Sequence, residues 1–258
     1  MILFLAGTSD ARELAMELQK QGHKLLATVV TTSAADSLRD AGIDYHVGRL
    51  SVEDMVTLIH EKKVTTIIDA SHPYAEEASK TAMNAAKECD VFYIRYERPQ
   101  QHYVHPLVTE VDTYEEAALI AREHKGTVML TTGSKTLATF TKHLLIDSIR
   151  LVCRMLPNKE NMEKCDALGI KHRDIIAIQG PFSEELNIAL YRQYETTLVI
   201  TKESGKVGSV DEKMDAALKL NIPVILIKRP KIEYLNQCST FEEVFQKLGG
   251  NINDKHGL

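Results

Sequence analysis

TTIIDASHPYAEEA, residues 65–78, runs a β-strand, a polar turn and the start of a helix together in one short stretch. The apolar run over 64–68 reads as a buried strand, the turn is Asp69-Ala70-Ser71-His72-Pro73, and an alanine-rich helix is expected from about Tyr74. In an open α/β sheet, ligands bind outside the carboxyl ends of the strands. The turn is therefore a candidate site loop, with His72 as its candidate acid–base group.

Upstream the same grammar repeats. Strands are expected over 2–6, 24–30 and 45–47. The helix after the first strand carries Ala11, Leu14, Ala15 and Leu18 on one face, and Asp10 with Glu13 resembles a capping box at its start. Further helices hold Leu38 and Ala41, then Met55, Leu58 and Ile59 inward, and a strand over 91–95 ends at Glu97-Arg98-Pro99. The polar and aromatic stretch QQHYVHP, 100–106, breaks the rhythm and reads as a crossing between domains. Alternation then resumes, with strands over 127–131, 149–155, 174–178, 197–200 and 223–227. The last of these ends in Arg229-Pro230, echoing Arg98-Pro99.

Strands alternating with helices at short intervals imply parallel strands joined by right-handed crossovers, and near-continuously apolar strands imply helices on both sheet faces. The expected fold class is α/β: two Rossmann-like domains with mostly parallel sheets and an interdomain cleft. The expected bounds are 1–103 and 104–250, with 251–258 a frayed tail.

The chain has 258 residues, 44% hydrophobic and 26% charged, with a formal net charge of -5. That balance excludes the broad basic face of a general nucleic-acid binder, though not an anionic small ligand. MILFLAGTSD has no basic n-region and reads as a first strand rather than a signal peptide, and no apolar run approaches the roughly 18 residues of a membrane span. Cys89, Cys153, Cys165 and Cys238 form no CxxC pair and read as thiols of a reduced compartment, so a cytoplasmic protein is expected. His72 has no second histidine at i+3 or i+4, and no metal site is expected.

Gly7-Thr8-Ser9 stands where a dinucleotide-binding turn belongs, between the first strand and a helix whose N-terminus suits a pyrophosphate. The glycine fingerprint is incomplete. With Gly7 as its first glycine, Ser9 and Arg12 occupy the other two places; with Gly7 as its second, Leu5 and Asp10 do. The second strand ends in Val30-Thr31-Thr32-Ser33, without the acid that holds ribose hydroxyls, which leans toward a 2′-phosphorylated cofactor. Asp69 is either a helix cap or a ligand-facing group. TKESGKVGSVDEK, 201–213, offers glycines and lysines at a strand's carboxyl end, and Ser204-Gly205 brings backbone N–H groups there. No GxSxG, HExxH or Walker A pattern supports hydrolase chemistry.

Several of these stretches together resemble the precorrin-6A reductases of cobalamin biosynthesis. They are 5–12 (LAGTSDAR), 68–75 (IDASHPYA), 95–99 (RYERP), Thr131-Thr132-Gly133, Gly180-Pro181-Phe182-Ser183 with Glu185 and Asn187, Thr201-Lys202-Glu203-Ser204-Gly205, and Lys228-Arg229-Pro230, in the family's order. Ala6 stands where the family often has glycine, and Ser209 where another glycine is common. The resemblance implies two Rossmann-like domains and reduction of the C18–C19 double bond of a precorrin-6A macrocycle, metal-free or cobalt-bound. Hydride comes from NADPH or NADH, and a proton goes to the other carbon. It further implies an anionic macrocycle as partner, with Arg95, Arg98, Lys202, Lys213 and Arg229 as cations for its carboxylates. Gly7, Thr8, Ser9, Arg12, Asp69, Ser71, Gly133, Ser204 and Gly205 become cofactor contacts, and His72, Tyr74, Lys202 or a bound water the proton donor. A non-catalytic dinucleotide sensor built on the same loops is the alternative.

Overall fold

Strands built from near-continuous apolar runs lie between covering helices, and each described pair is parallel. The computed structural model describes residues 1–30, 32–99, 103–203 and 212–255. The chain forms two units, Met1–Pro99 with Pro230–Leu258, and Gln100–Arg229.

The first unit runs β1 (Ile2–Ala6), α1 (Ser9–Lys20), β2 (Leu25–Val29), α2 (Thr32–Asp40), β3 (Tyr45–Val47), α3 (Val52–Lys62), β4 (Thr66–Ala70), α4 (Glu76–Glu88) and β5 (Phe92–Tyr96). The chain leaves after β5 and returns to add β12 (Gln237–Cys238) and α10 (Phe241–Lys255), giving the order β12-β5-β4-β1-β2-β3. Period-2 alternation splits β1 between two cores. Ile2 and Phe4 pack with Leu14 and Leu18 of α1 and Val244 and Leu248 of α10. Leu3 and Leu5 pack with Met55 and Ile59 of α3 and Ala82 and Ala85 of α4.

The second unit runs β6 (Val108–Val111), α5 (Tyr114–Arg122), β7 (Gly126–Leu130), α6 (Leu137–Leu144), β8 (Ile149–Met155), α7 (Lys159–Ala167), β9 (Ile175–Ala177), α8 (Glu184–Gln193), β10 (Thr196–Lys202), α9 (Glu212–Lys219) and β11 (Val224–Ile227). Its sheet is ordered β6-β11-β10-β7-β8-β9. Both sheets carry the doubly wound arrangement, in which strand order reverses between β1 and β4 and again between β7 and β10. Arg98-Pro99 follows β5 and Arg229-Pro230 follows β11, strands with the same place in their sheets, and the chain changes unit at each.

Four expectations need correction. Residues 230–250 do not belong to the second unit, because β12 pairs with β5 and α10 fills the first unit's core. The signal was weak, since β12 has only two residues. Thr8, not Asp10, caps α1 by accepting from the Ala11 N–H at 3.3 Å. The chain after β4 turns before α4 begins at Glu76: the Ala75 N–H donates to the His72 carbonyl at 2.7 Å, so Pro73 and Tyr74 lie in the turn. Helix α10 continues to Lys255, past the start of the expected tail. No helix among the described residues is long and apolar enough to cross a membrane.

Val244 on α10 is fully buried in the first unit's core. Val244→Asp is expected to cost on the order of 3 kcal/mol or more, by placing an unpaired carboxylate in apolar surroundings. Native-state hydrogen exchange should accelerate at β1 and β5 amides and stay unchanged at β7 and β10 amides. Faster exchange confined to the second unit would refute this assignment of the C-terminal segment.

Candidate functional site

The turns after β1 and β4 meet at the first unit's switch point. A Cβ built on Gly7 would lie 2.4 Å from the His72 backbone N and 2.9 Å from Ser71 Cα, a distance no real side chain tolerates. Gly7 is thus required by the approach of one turn to the other. Gly7 and Ser9 are exposed there, Thr8 is half-buried, and Arg12 is exposed on α1.

These residues fit a bound pyrophosphate. First-turn N–H groups of a twelve-residue helix, together with its positive dipole end, face the space beyond β1. The acid in that turn, Asp10, is held by the Arg98 guanidinium at 2.7 Å, which removes a charge that would repel phosphate. Tyr96 also touches this pair; burial first, then the Asp10 charge, pushes its phenol up to about 12.

Beneath the β4 turn lies a buried polar network. Asp69 and Arg95 are cross-strand partners on β4 and β5, both fully buried, with Arg95 Nη1 donating to Asp69 Oδ1 at 2.9 Å. The same nitrogen donates to Ser71 Oγ at 3.1 Å, while Nε and Nη2 donate to Glu97 Oε2 at 3.0 and 2.7 Å. Asp69 also accepts from the Ser71 N–H at 3.0 Å and from the Tyr93 hydroxyl at 2.8 Å. Burial and then the Asp69 charge push the Tyr93 phenol strongly upward, so Tyr93 is a neutral donor. Above this base His72 is half-buried, and its Nδ1 accepts from the Tyr74 N–H at 3.3 Å.

In the second unit the switch-point turn after β7 passes through Gly133 at φ +82, and Thr132 Oγ1 lies 3.0 Å from Thr136 Oγ1. At the end of β10, the Lys202 ammonium is brought down to about 8 by burial first, then by the charges of Lys213 and Lys135. Three lysines from three elements therefore share one field. Arg229 is buried in an ion pair with Glu203, the residue after Lys202, at 3.2 Å.

Of the five cations expected to hold carboxylates, Arg95 and Arg229 are sealed in buried pairs, and Arg98 is engaged by Asp10. Asp69 likewise neither caps α4 nor reaches a ligand, being fully enclosed. Ser204 and Gly205 lie outside the described residues. Tyr93, Glu97 and Lys135 were missed. Tyr93 and Arg95 on β5 and Glu97 just past its end keep period-2 spacing, so a polar alternation running out of an apolar strand was the signal available for Tyr93 and Glu97.

A model of the family described as precorrin-6x reductase CbiJ/CobK matches residues 1–249. A cobalt-precorrin-6A reductase from Priestia megaterium is 56% identical over 96% of this chain and 98% of its own length. One from Methanothermobacter thermautotrophicus is 36% identical over 98% of this chain and 81% of its own length. Among solved structures, CobK precorrin-6A reductase superposes with a TM-score of 0.76 at 25% identity, covering 96% of both chains.

Gly7→Ala is expected to cost about 1–3 kcal/mol, because the added methyl must displace backbone rather than a flexible side-chain end. Urea denaturation measures it, and an unchanged midpoint would contradict the close approach. Lys202 is expected to titrate near pH 8 by NMR of labelled lysine, with Lys135→Met and Lys213→Met each raising the midpoint. The sign follows from a depressed folded pKa. Charging Lys202 opposes folding fully below about pH 8, and the penalty fades as pH rises toward the ordinary lysine value. A midpoint near 10.5 in the parent protein would refute the clustering.

Proposed function

The chain belongs to the precorrin-6x reductase CbiJ/CobK family, and on that footing we propose that it reduces the C18–C19 double bond of cobalt-precorrin-6A with a nicotinamide coenzyme. The relatives at 56% and 36% identity are named for the cobalt substrate, whereas the solved precorrin-6A reductase stands at 25%, which favours the cobalt complex. The observation that carries the coenzyme reading is the backbone contact of Gly7 with Ser71 and His72 at a switch point, where doubly wound folds take their ligands.

Bound nicotinamide supplies the hydride, so the protein's own tasks are binding, orientation and proton delivery. Gly7, Thr8 and Ser9 present first-turn N–H groups to the pyrophosphate, with Arg12 one turn further along α1. Ser71 and His72 form the adjoining wall. Since His72 Nδ1 accepts from the Tyr74 N–H, the neutral ring carries its proton on Nε2. Tyr74 and Lys202 complete the set of proposed donors. Lys202 near its midpoint at neutral pH is poised for transfer, and with Lys213 and Lys135 it supplies positive charge for the macrocycle's carboxylates.

Incubation of the protein with cobalt-precorrin-6A and NADPH or NADH tests this reading. Oxidation of the coenzyme with a shift in the corrinoid spectrum is expected. Tight binding of both ligands without turnover would instead identify a sensor. Because residues 30–35 contain no acid to select free ribose hydroxyls, kcat/KM is expected to be higher with NADPH than with NADH, by no more than about tenfold. A preference of a hundredfold or more would place a discriminating group elsewhere.

A further inference from the structure

We infer that Arg95 is a positioning residue for the coenzyme turn, holding Ser71 and His72 against Gly7 through its guanidinium fork rather than meeting any ligand itself. The inference rests on the reading of the β1 and β4 turns as the coenzyme site.

Arg95 is fully buried, so an anionic ligand cannot reach it without unfolding β5. A guanidinium so placed needs acceptors for its several N–H groups, and the Asp69 carboxylate at 2.9 Å supplies one. The fork does more. Nη1 reaches past Asp69 Oδ1 to its backbone carbonyl at 3.3 Å and to Ser71 Oγ at 3.1 Å, both at the point where β4 becomes the turn. Ser71 is consequently held at two atoms, its N–H by Asp69 and its hydroxyl by Arg95. Its Cα and carbonyl carbon are also what the Gly7 position abuts. Fixing Ser71 therefore fixes the gap between the two turns.

The other side of the fork is also held. Glu97 Oε2 accepts from both Nε and Nη2, which sets the rotation of the guanidinium plane. The segment returning from the second unit closes the network: the Tyr234 ring covers Arg95 at 5.1 Å. The Arg95 N–H donates to the Asn236 carbonyl at 2.8 Å, and Asn236 Nδ2 donates to the Tyr93 carbonyl at 3.0 Å. Any buried guanidinium needs several acceptors, but here two of them, the Asp69 carbonyl and the Ser71 hydroxyl, lie at the junction of β4 with the loop. A loop that must hold a ligand within a fraction of an ångström needs such an anchor.

Arg95→Lys in the full chain separates charge from geometry, since lysine keeps the cation opposite Asp69 and loses the planar fork. The coenzyme Kd and KM are expected to rise about tenfold or more while the macrocycle KM stays within about twofold, with a cooperative thermal transition as the folding control. Unchanged coenzyme constants would overturn the inference, whatever happens to the melting temperature. Should Arg95→Lys fail to fold, Glu97→Ala decides. It spares the Asp69 pair and removes the oxygen that accepts from Nε and Nη2, so a rise in coenzyme KM supports positioning and a parental value overturns it. Gly7→Val is measured alongside. If it too leaves coenzyme affinity intact, the coenzyme assignment of the turn has failed. If Gly7→Val abolishes binding and Arg95→Lys does not alter it, only the positioning role is lost.

Discussion

A guanidinium closed off from water must find acceptors within the protein, and Arg95 finds them in Asp69, Ser71 and Glu97. Removing one partner from such a group typically costs about 3–5 kcal/mol, because the remaining charge is left buried and uncompensated. Here the acceptors belong to three successive features: the last turn of β4, the loop beyond it and the exit from β5. One ionic contact therefore joins the geometry of the sheet to that of the loop. The loop in turn dictates glycine at position 7, since its backbone occupies the space a side chain would need.

The second unit repeats the plan with different chemistry. Its sheet has the same doubly wound order, and its switch-point turn after β7 also runs through a glycine. At its carboxyl edge, however, Lys202, Lys213 and Lys135 crowd together, and burial plus mutual repulsion make Lys202 easier to deprotonate. The Arg-Pro pairs that end β5 and β11 each anchor an acid of their own unit, Asp10 for Arg98 and Glu203 for Arg229. The echo visible in the sequence marks a shared topological position and two separate ion pairs.

Most elements were readable from periodicity, because parallel strands covered on both faces must be apolar at nearly every position. The site was legible in outline because turns at carboxyl strand ends interrupt the apolar runs with polar residues such as Ser71 and His72. What failed was the reading of charge. Arg95, Arg98 and Arg229 looked like ligands for carboxylates because a one-dimensional sequence shows a cation without showing its partner. Apart from Glu97, two residues from Arg95, the partners lie far along the chain, at Asp69, Asp10 and Glu203, and strand pairing or helix packing was needed to bring them together.

By itself the sequence determined the alternation of strands and helices, the parallel sheets, the two Rossmann-like units and the turns that build the candidate site. It also carried the ordered motifs of the precorrin-6x reductases, since short runs around turns survive without reference to distant contacts. Only the tertiary structure decided that residues 230–255 rejoin the first unit, because a two-residue strand has too little pattern to announce its partner. It also decided which cations are sealed in ion pairs and which crowd together. Burial depends on everything that packs around a side chain, and none of that is local.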